Sequence, residues 1–172
     1  MDTERSKLLN QCLENYYDDI LNFMYLRLNN HQDAEDMTQT VFLQIMKAIE
    51  NYRGESSLRT WVFQIARNTL VNEYRQKSSL KRLFDRLKQH VRFQSNEPSP
   101  HKNIELFSLL DSLNERDCEL IILKHYFGFT YGEISKITGL TSSNIGVRLA
   151  RAIQLLNRDQ NDGGDHIEQK SR

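Results

Sequence analysis

Cysteine is nearly absent from this chain of 172 residues: Cys12 and Cys118 are its only two, and they stand far apart. A disulfide framework needs more of them, and a thiolate metal site needs closer spacing. Both read as small buried residues in a reducing compartment. His31, His90, His101, His125 and His166 form no ligand-spaced pair, so neither a metal nor another cofactor is expected. Glycine and proline are also scarce, with seven and two residues, which favours helix over sheet. No apolar run approaches membrane-spanning length, so no membrane insertion is expected. The opening MDTERSKLLNQ is charged and lacks the apolar stretch of a secretory signal. Together these absences point to a cytoplasmic protein.

Net charge is missing too, with 23 Lys and Arg against 23 Asp and Glu. A protein that lives on DNA alone is usually basic. The charge is unevenly placed, however. Residues 1–76 hold eight basic and eleven acidic residues, and 77–94 hold six basic and one acidic. An acidic and a basic surface suit two partners, one protein and one nucleic acid, or are simply a solvated exterior.

What is present is helical periodicity in a globular composition, 38% hydrophobic and 27% charged. The spacing predicts an all-α fold of two small domains. The first helix spans about Lys7 to Leu28, with Leu9, Cys12, Leu13, Tyr16, Ile20, Phe23 and Met24 inward. The second spans about Gln32 to Ile49, with Ala34, Met37, Val41, Ile45 and Ala48 on one side. The stretch NYRGESS breaks the pattern with Gly54. A third helix starts near Ser57, carries Trp61, Ile65, Leu70 and Val71, and continues or restarts through Leu80 to Val91. Two prolines and polar residues mark 95–102 as a flexible linker. Further helices are predicted at Ile104 to Leu113 and at Glu115 to Phe127, the latter N-capped by Asn114. The domains are therefore 1–94 and 103–157, with 158–172 expected to be disordered.

The most informative stretch is Thr130 to Leu156. Thr130 and Glu133 stand at capping-box spacing, and Ile134 and Ile137 supply an apolar face. Gly139 falls where a positive φ ends the helix. A second helix opens at Thr141, Ser142 and Ser143 and buries Ile145, Leu149, Ala152, Ile153 and Leu156. Asn144, Arg148 and Arg151 lie largely opposite. This is the layout of a DNA-reading helix-turn-helix, although an ordinary αα-hairpin shares it.

Two other segments carry candidate chemistry. Asp33, Glu35, Asp36 and Gln39 crowd the start of the second helix, where acidic residues suit the macrodipole. Asp36, Gln39 and Leu43, with Phe42 beside them, make a polar stripe with an apolar edge that can dock a partner helix. A nuclease metal site built on Asp33, Glu35 and Asp36 lacks a second ligand cluster. From Asn51 to Gln76, aromatics mix with hydroxyls, amides and arginines, the ingredients of a single-stranded DNA site. On the residues alone, a structural role for Trp61 and Phe63 with solvated arginines is the slightly stronger account.

Four ordered stretches, DAEDMTQTVFLQIMKAI, YRGESSLRTWVFQIARN, LDSLNERDCELIILKHYFGFTYGEIS and the hairpin ending VRLARAIQLL, together resemble the extracytoplasmic-function sigma factors. The resemblance covers most of the chain. It implies a non-enzymatic protein that recruits core RNA polymerase to promoter DNA. It implies that Asp33, Glu35, Asp36, Gln39, Phe42 and Leu43 dock the β′ clamp helices, the β subunit being a further partner. It implies minus-10 contacts at Tyr52, Arg53, Ser56, Ser57, Thr60, Trp61, Arg67, Asn68 and Asn72, where one base is extruded into a loop pocket. It implies minus-35 contacts at Tyr131, Glu133, Ser142, Ser143, Asn144, Arg148 and Arg151, and an anti-sigma partner that can hold the protein at the inner membrane face. Two positions depart from the family pattern. Gly146 stands where a basic residue is common, and Val147 where a small hydroxyl residue is common. The alternative is a stand-alone helix-turn-helix regulator, which would need a dimer surface.

Overall fold

The structure, a computed structural model, describes the backbone of residues 2–87, 110 and 112–164 and the side chains of residues 4–76, 110 and 112–158. The linker expected at 95–102 and the helix expected at Ile104 to Leu113 fall outside these residues, apart from Leu110, Ser112 and Leu113. The chain divides into two compact units, one up to Pro100 and one from His101.

The first unit is built on α1 (Asp2–Leu28), α2 (His31–Ala48) and α3 (Leu58–Leu87). Asn29 takes a positive φ of 50°, and the Asn30 side chain accepts from the Asp33 N–H to start α2. This Asn pair turns the chain back within two residues, because Asn tolerates the left-handed region and caps well. After α2 a 3-10 turn, Ile49–Asn51, leads into an irregular loop with Gly54 at φ 72°. Ser57 then caps α3 by accepting from the Thr60 N–H at 3.2 Å.

The core of this unit follows the expected spacing. Cys12, Ile20, Phe23 and Met24 of α1 meet Ala34, Val41 and Ile45 of α2 and Val62, Phe63, Ala66 and Leu70 of α3, all of them buried. Phe23 and Phe63 meet edge-on with centroids 5.6 Å apart. Each such side chain contributes roughly 1.5–3 kcal/mol through burial. Leu13 departs from its expected inward position and is 46% exposed. It stands one residue beyond the Cys12–Ile20 stripe, a rotation that carries it off the two-helix contact. α3 is one continuous helix through the basic stretch as far as Leu87, without a restart.

The second unit carries α4 (Glu115–Ile121), α5 (Tyr131–Thr138) and α6 (Ser142–Gly164). Asn114 caps α4 as expected, accepting from the Asp117 N–H at 3.1 Å. The predicted single helix to Phe127 instead loosens into a π-turn at Ile122–Tyr126, where the Phe127 N–H reaches the Ile122 carbonyl. Gly128 at φ 72° closes it, and the Phe129 N–H returns to the Leu123 carbonyl. This termination turns both Phe127 and Phe129 into the core beside Leu120, Leu123, Ile134, Ile137, Ile145 and Leu149. α6 outruns its expected end and extends to Gly164. No helix breaker interrupts the sequence from Arg158 to Asp162, and the part of the tail expected to be disordered at 165–172 lies outside the described residues. Ile153, expected in the core, is 38% exposed, since Ile145, Leu149 and Ala152 already define the buried stripe.

Candidate nucleic-acid and partner interfaces

The expected docking residues on α2 separate into two groups. Asp33, Asp36, Gln39 and Leu43 are exposed, and Leu43 and Met46 are each at least half exposed on a helix whose other side is core. Gln32 donates to Asp36 at 3.3 Å, which steadies the carboxylate without burying it. Glu35 is drawn instead to His31, 3.3 Å away at (i, i+4) spacing. Phe42, expected in the docking set, is placed differently. It is buried, its ring 5.5 Å from that of Tyr17 on α1, so it supports the face rather than presenting one. Met46, Leu13 and Tyr17 extend the exposed apolar edge, and Met46 was legible at three residues from Leu43.

Tyr52, Arg53, Ser56 and Trp61 line one open cleft of about 510 Å³, together with Asn51, Glu55 and Gln64. The Tyr52 and Trp61 rings stand 5.1 Å apart at 53°. Tyr52 also donates its hydroxyl to the Ser56 carbonyl at 2.9 Å, which fixes the loop around the cleft. Trp61 is only half-buried while Phe63 is core, so the structural account holds for the second aromatic and not fully for the first. Thr60 is fully buried, with its hydroxyl 2.8 Å from Ser57 Oγ, and the pair secures the start of α3.

Asn68 and Asn72 are exposed and line a second groove, about 360 Å³, with Gln44 of α2 and Gln76. Trp61, Gln64, Asn68 and Asn72 succeed one another at helical spacing, so one rigid face of α3 joins cleft and groove. Gln64 was missed from sequence, although this spacing marks it. Arg67 is half-buried. Arg59, by contrast, is structural: it reaches Asp19 of α1 at 3.3 Å and lies over the Phe63 ring at 5.6 Å.

Cys12 is buried and Cys118 half-buried, both as free thiols. Burial pushes the Cys12 thiol up to about 11, so it stays protonated. Burial likewise raises Tyr16, reinforced by the nearby Cys12. Among the described residues no three His, Cys, Asp or Glu side chains gather as a metal site would require.

In the second unit the capping box forms as expected. Glu133 accepts from the Thr130 backbone N–H at 2.9 Å and from its hydroxyl at 2.7 Å. Glu133 therefore stabilises the start of α5. Gly139, at φ 75°, ends α5. Thr141 caps α6 by accepting from the Asn144 N–H at 3.3 Å. Arg148, expected at the minus-35 element, is engaged by the start of α4. Its Nε lies 2.8 Å from Asp117 Oδ1, and Nη2 lies 3.4 Å from Asn114 Oδ1, both at the start of α4. The Nε–Oδ1 approach is an ion pair without hydrogen-bond alignment. On the other flank of α6, Gly146 packs over Tyr131, whose Cε2 would lie 3.4 Å from an added Cβ. Ser142, Ser143, Asn144, Val147 and Arg151 remain exposed, and Arg151 forms no ion pair among the described residues. Tyr131 is 40% exposed, with the Lys124 ammonium 5.3 Å from its ring.

The sigma-70 region 2 family model matches residues 12–80, and the sigma-70 region 4 model matches 104–156. The chain belongs to the sigma-70 family. It is an alternative sigma factor of the extracytoplasmic-function kind. The RNA polymerase sigma factor YlaC of Bacillus subtilis is 28% identical over 145 residues, covering 80% of this chain and 83% of YlaC. The ECF RNA polymerase sigma factor SigX of the same organism is 24% identical over 154 residues, with 84% and 79% covered. Among solved structures, the sigma factor RpoE of Bartonella quintana, in complex with the anti-sigma factor NepR, shares the fold. Its TM-score is 0.72 at 23% identity, covering 87% of this sigma factor and 94% of that chain. The α2 face and the aromatic cleft thus fall in region 2, and the helix-turn-helix falls in region 4.

Proposed function

We propose that this sigma factor binds core RNA polymerase through the exposed α2 face of Asp33, Asp36, Gln39, Leu43 and Met46. The observation that carries the reading is the pair Leu43 and Met46. Each is at least half exposed beside the exposed polar positions Asp36 and Gln39, on a helix that already buries six residues. An apolar edge of this kind supports a partner helix better than it supports solvent.

Once polymerase is bound, the Tyr52–Trp61 cleft takes an extruded minus-10 base, and the α3 face of Gln64, Asn68 and Asn72 follows the same strand. The cleft supplies a stacking surface and polar edges, which offset the few kcal/mol, roughly, of unstacking. α6 reads the minus-35 element through Ser142, Ser143, Asn144 and Arg151. The polymerase performs the chemistry, so this sigma factor acts without catalysis of its own. The balanced net charge suits a protein that gains promoter affinity only in the holoenzyme. It works in the cytoplasm, and an anti-sigma protein covers these faces when initiation is not required. Among the described residues no helix is long and apolar enough to cross a membrane. A stand-alone regulator would leave both the α2 face and the cleft unused.

The test is co-elution with core polymerase of the wild type and of the Asp36→Ala/Gln39→Ala variant. Both positions are exposed, so the variant keeps its fold. Co-elution of the wild type and its loss in the variant are expected. Failure of the wild type to co-elute contradicts the reading, and equal co-elution of both moves docking off this face.

A further inference from the structure

The outward side of α6 has an apolar side chain at its centre. Ile145, Leu149 and Ala152 face the core, and at 100° per residue Val147 lies opposite them. Val147 is 71% exposed, while Ser143 and Asn144 before it and Arg151 after it are exposed polar neighbours. Folding gives no reason for this residue. A β-branched side chain is a poor helix former, and this one recovers nothing through packing. Gly146, beside it, is another poor helix former without a structural need. Its φ is not positive, and an added Cβ would meet only Tyr131 Cε2, at 3.4 Å. Two successive residues therefore weaken α6 at the turn that would lie deepest in a DNA groove.

The chemistry of the major groove narrows what Val147 can meet. Guanine and adenine present hydrogen-bonding groups there, and cytosine an amino group beside a bare C5–H, so an aliphatic side chain placed on them leaves hydrogen-bonding groups unpaired. Thymine alone presents a methyl, at C5, that an aliphatic side chain can cover. Position 146 adds no side chain of its own beside Val147, only the Tyr131 ring packs on that flank, and Val147 stays 71% exposed. Asn144, one turn earlier, has the donor and acceptor pair that suits adenine. A protein partner is less well matched, because a single valine among polar residues makes no apolar patch.

We infer that Val147 is a specificity residue that reads a thymine methyl in the promoter element bound by α6. This rests on the assignment of α6 to minus-35 reading. The experiment measures binding of the holoenzyme to its promoter with each upstream thymine replaced in turn by deoxyuridine, which removes only the methyl. One position is expected to lose about 3- to 5-fold in affinity, the effect of one buried methyl. In Val147→Ala holoenzyme the same replacement is expected to have no effect. Alanine is the better helix former, so loss of fold does not explain that result. If no thymine is sensitive, or if the sensitivity persists in Val147→Ala, the inference is overturned while minus-35 reading stands. If scrambling the whole upstream element leaves binding unchanged, both fail.

Discussion

The Arg148 guanidinium lies 2.8 Å from the Asp117 carboxylate, and this contact joins the DNA-reading helix to the first turn of α4. The Asp117 side chain is only 6% exposed and that of Arg148 30%. Removing one partner leaves the other charge partly buried and alone, which is costly. Asp117→Ala is expected to destabilise the region 4 unit by about 2 kcal/mol, discounted from a fully buried pair because Arg148 keeps some solvent. Chemical denaturation of the full chain measures this. The salt dependence of holoenzyme binding separates the two roles of Arg148. Arg148→Ala is expected to weaken binding without changing the salt slope, whereas loss of a phosphate contact would lower that slope by about one.

The half-buried Trp61 forms one wall of the region 2 cleft, 5.1 Å from Tyr52. Base–aromatic stacking is worth about 1–3 kcal/mol per base. Trp61→Ala is therefore expected to lower open-complex formation by roughly 5- to 150-fold while leaving co-elution with core polymerase unchanged. Fluorescence of 2-aminopurine placed in the minus-10 element reads the extruded base directly.

Gly146 is a position where stability can be gained. An alanine Cβ would touch Tyr131 at 3.4 Å, and the helix gains from losing glycine. Gly146→Ala is expected to stabilise the region 4 unit by about 0.5–1 kcal/mol, read as a higher denaturation midpoint. A fall in that midpoint would show that the Tyr131 contact cannot relax.

Cys12 makes the stability of the region 2 unit sensitive to alkali. Its thiol is held at about 11 in the folded chain, against 9.0 when free. A raised folded value means that its contribution is fully present below pH 9 and is lost as pH rises toward about 11. The total is about 2–3 kcal/mol. The Cys12→Ala variant is expected to lack this component, so the difference between the two unfolding curves should shrink from pH 8.5 to 11. Folded wild-type protein should also resist alkylation at Cys12 at neutral pH.

The sequence was most legible where local chemistry decides the outcome. The Asn114 cap, the Thr130–Glu133 box and the positive φ of Gly139 each depend on neighbours within a few residues, and each formed as read. The same box engages Glu133 with its own helix. Thr60 and Arg148 are likewise engaged within the protein. The Ser57 partner of Thr60 lies three residues away at capping spacing, whereas Asp117 becomes the partner of Arg148 only once the chain is folded. Phe42 shows the limit of the helical stripe, since its burial depends on Tyr17 of a different helix. The π-turn at Ile122–Tyr126 has no residue signature, and the extension of α6 reflects an absence of breakers that a polar composition concealed.

Multi-round transcription with purified core polymerase on a pool of genomic promoter fragments, with and without this sigma factor, tests the central claim most directly. Discrete new transcripts that depend on its presence are expected, with two shared upstream elements, and they should be lost with Asp36→Ala/Gln39→Ala. An unchanged transcript profile from a protein that also fails to co-elute with core polymerase would contradict the account.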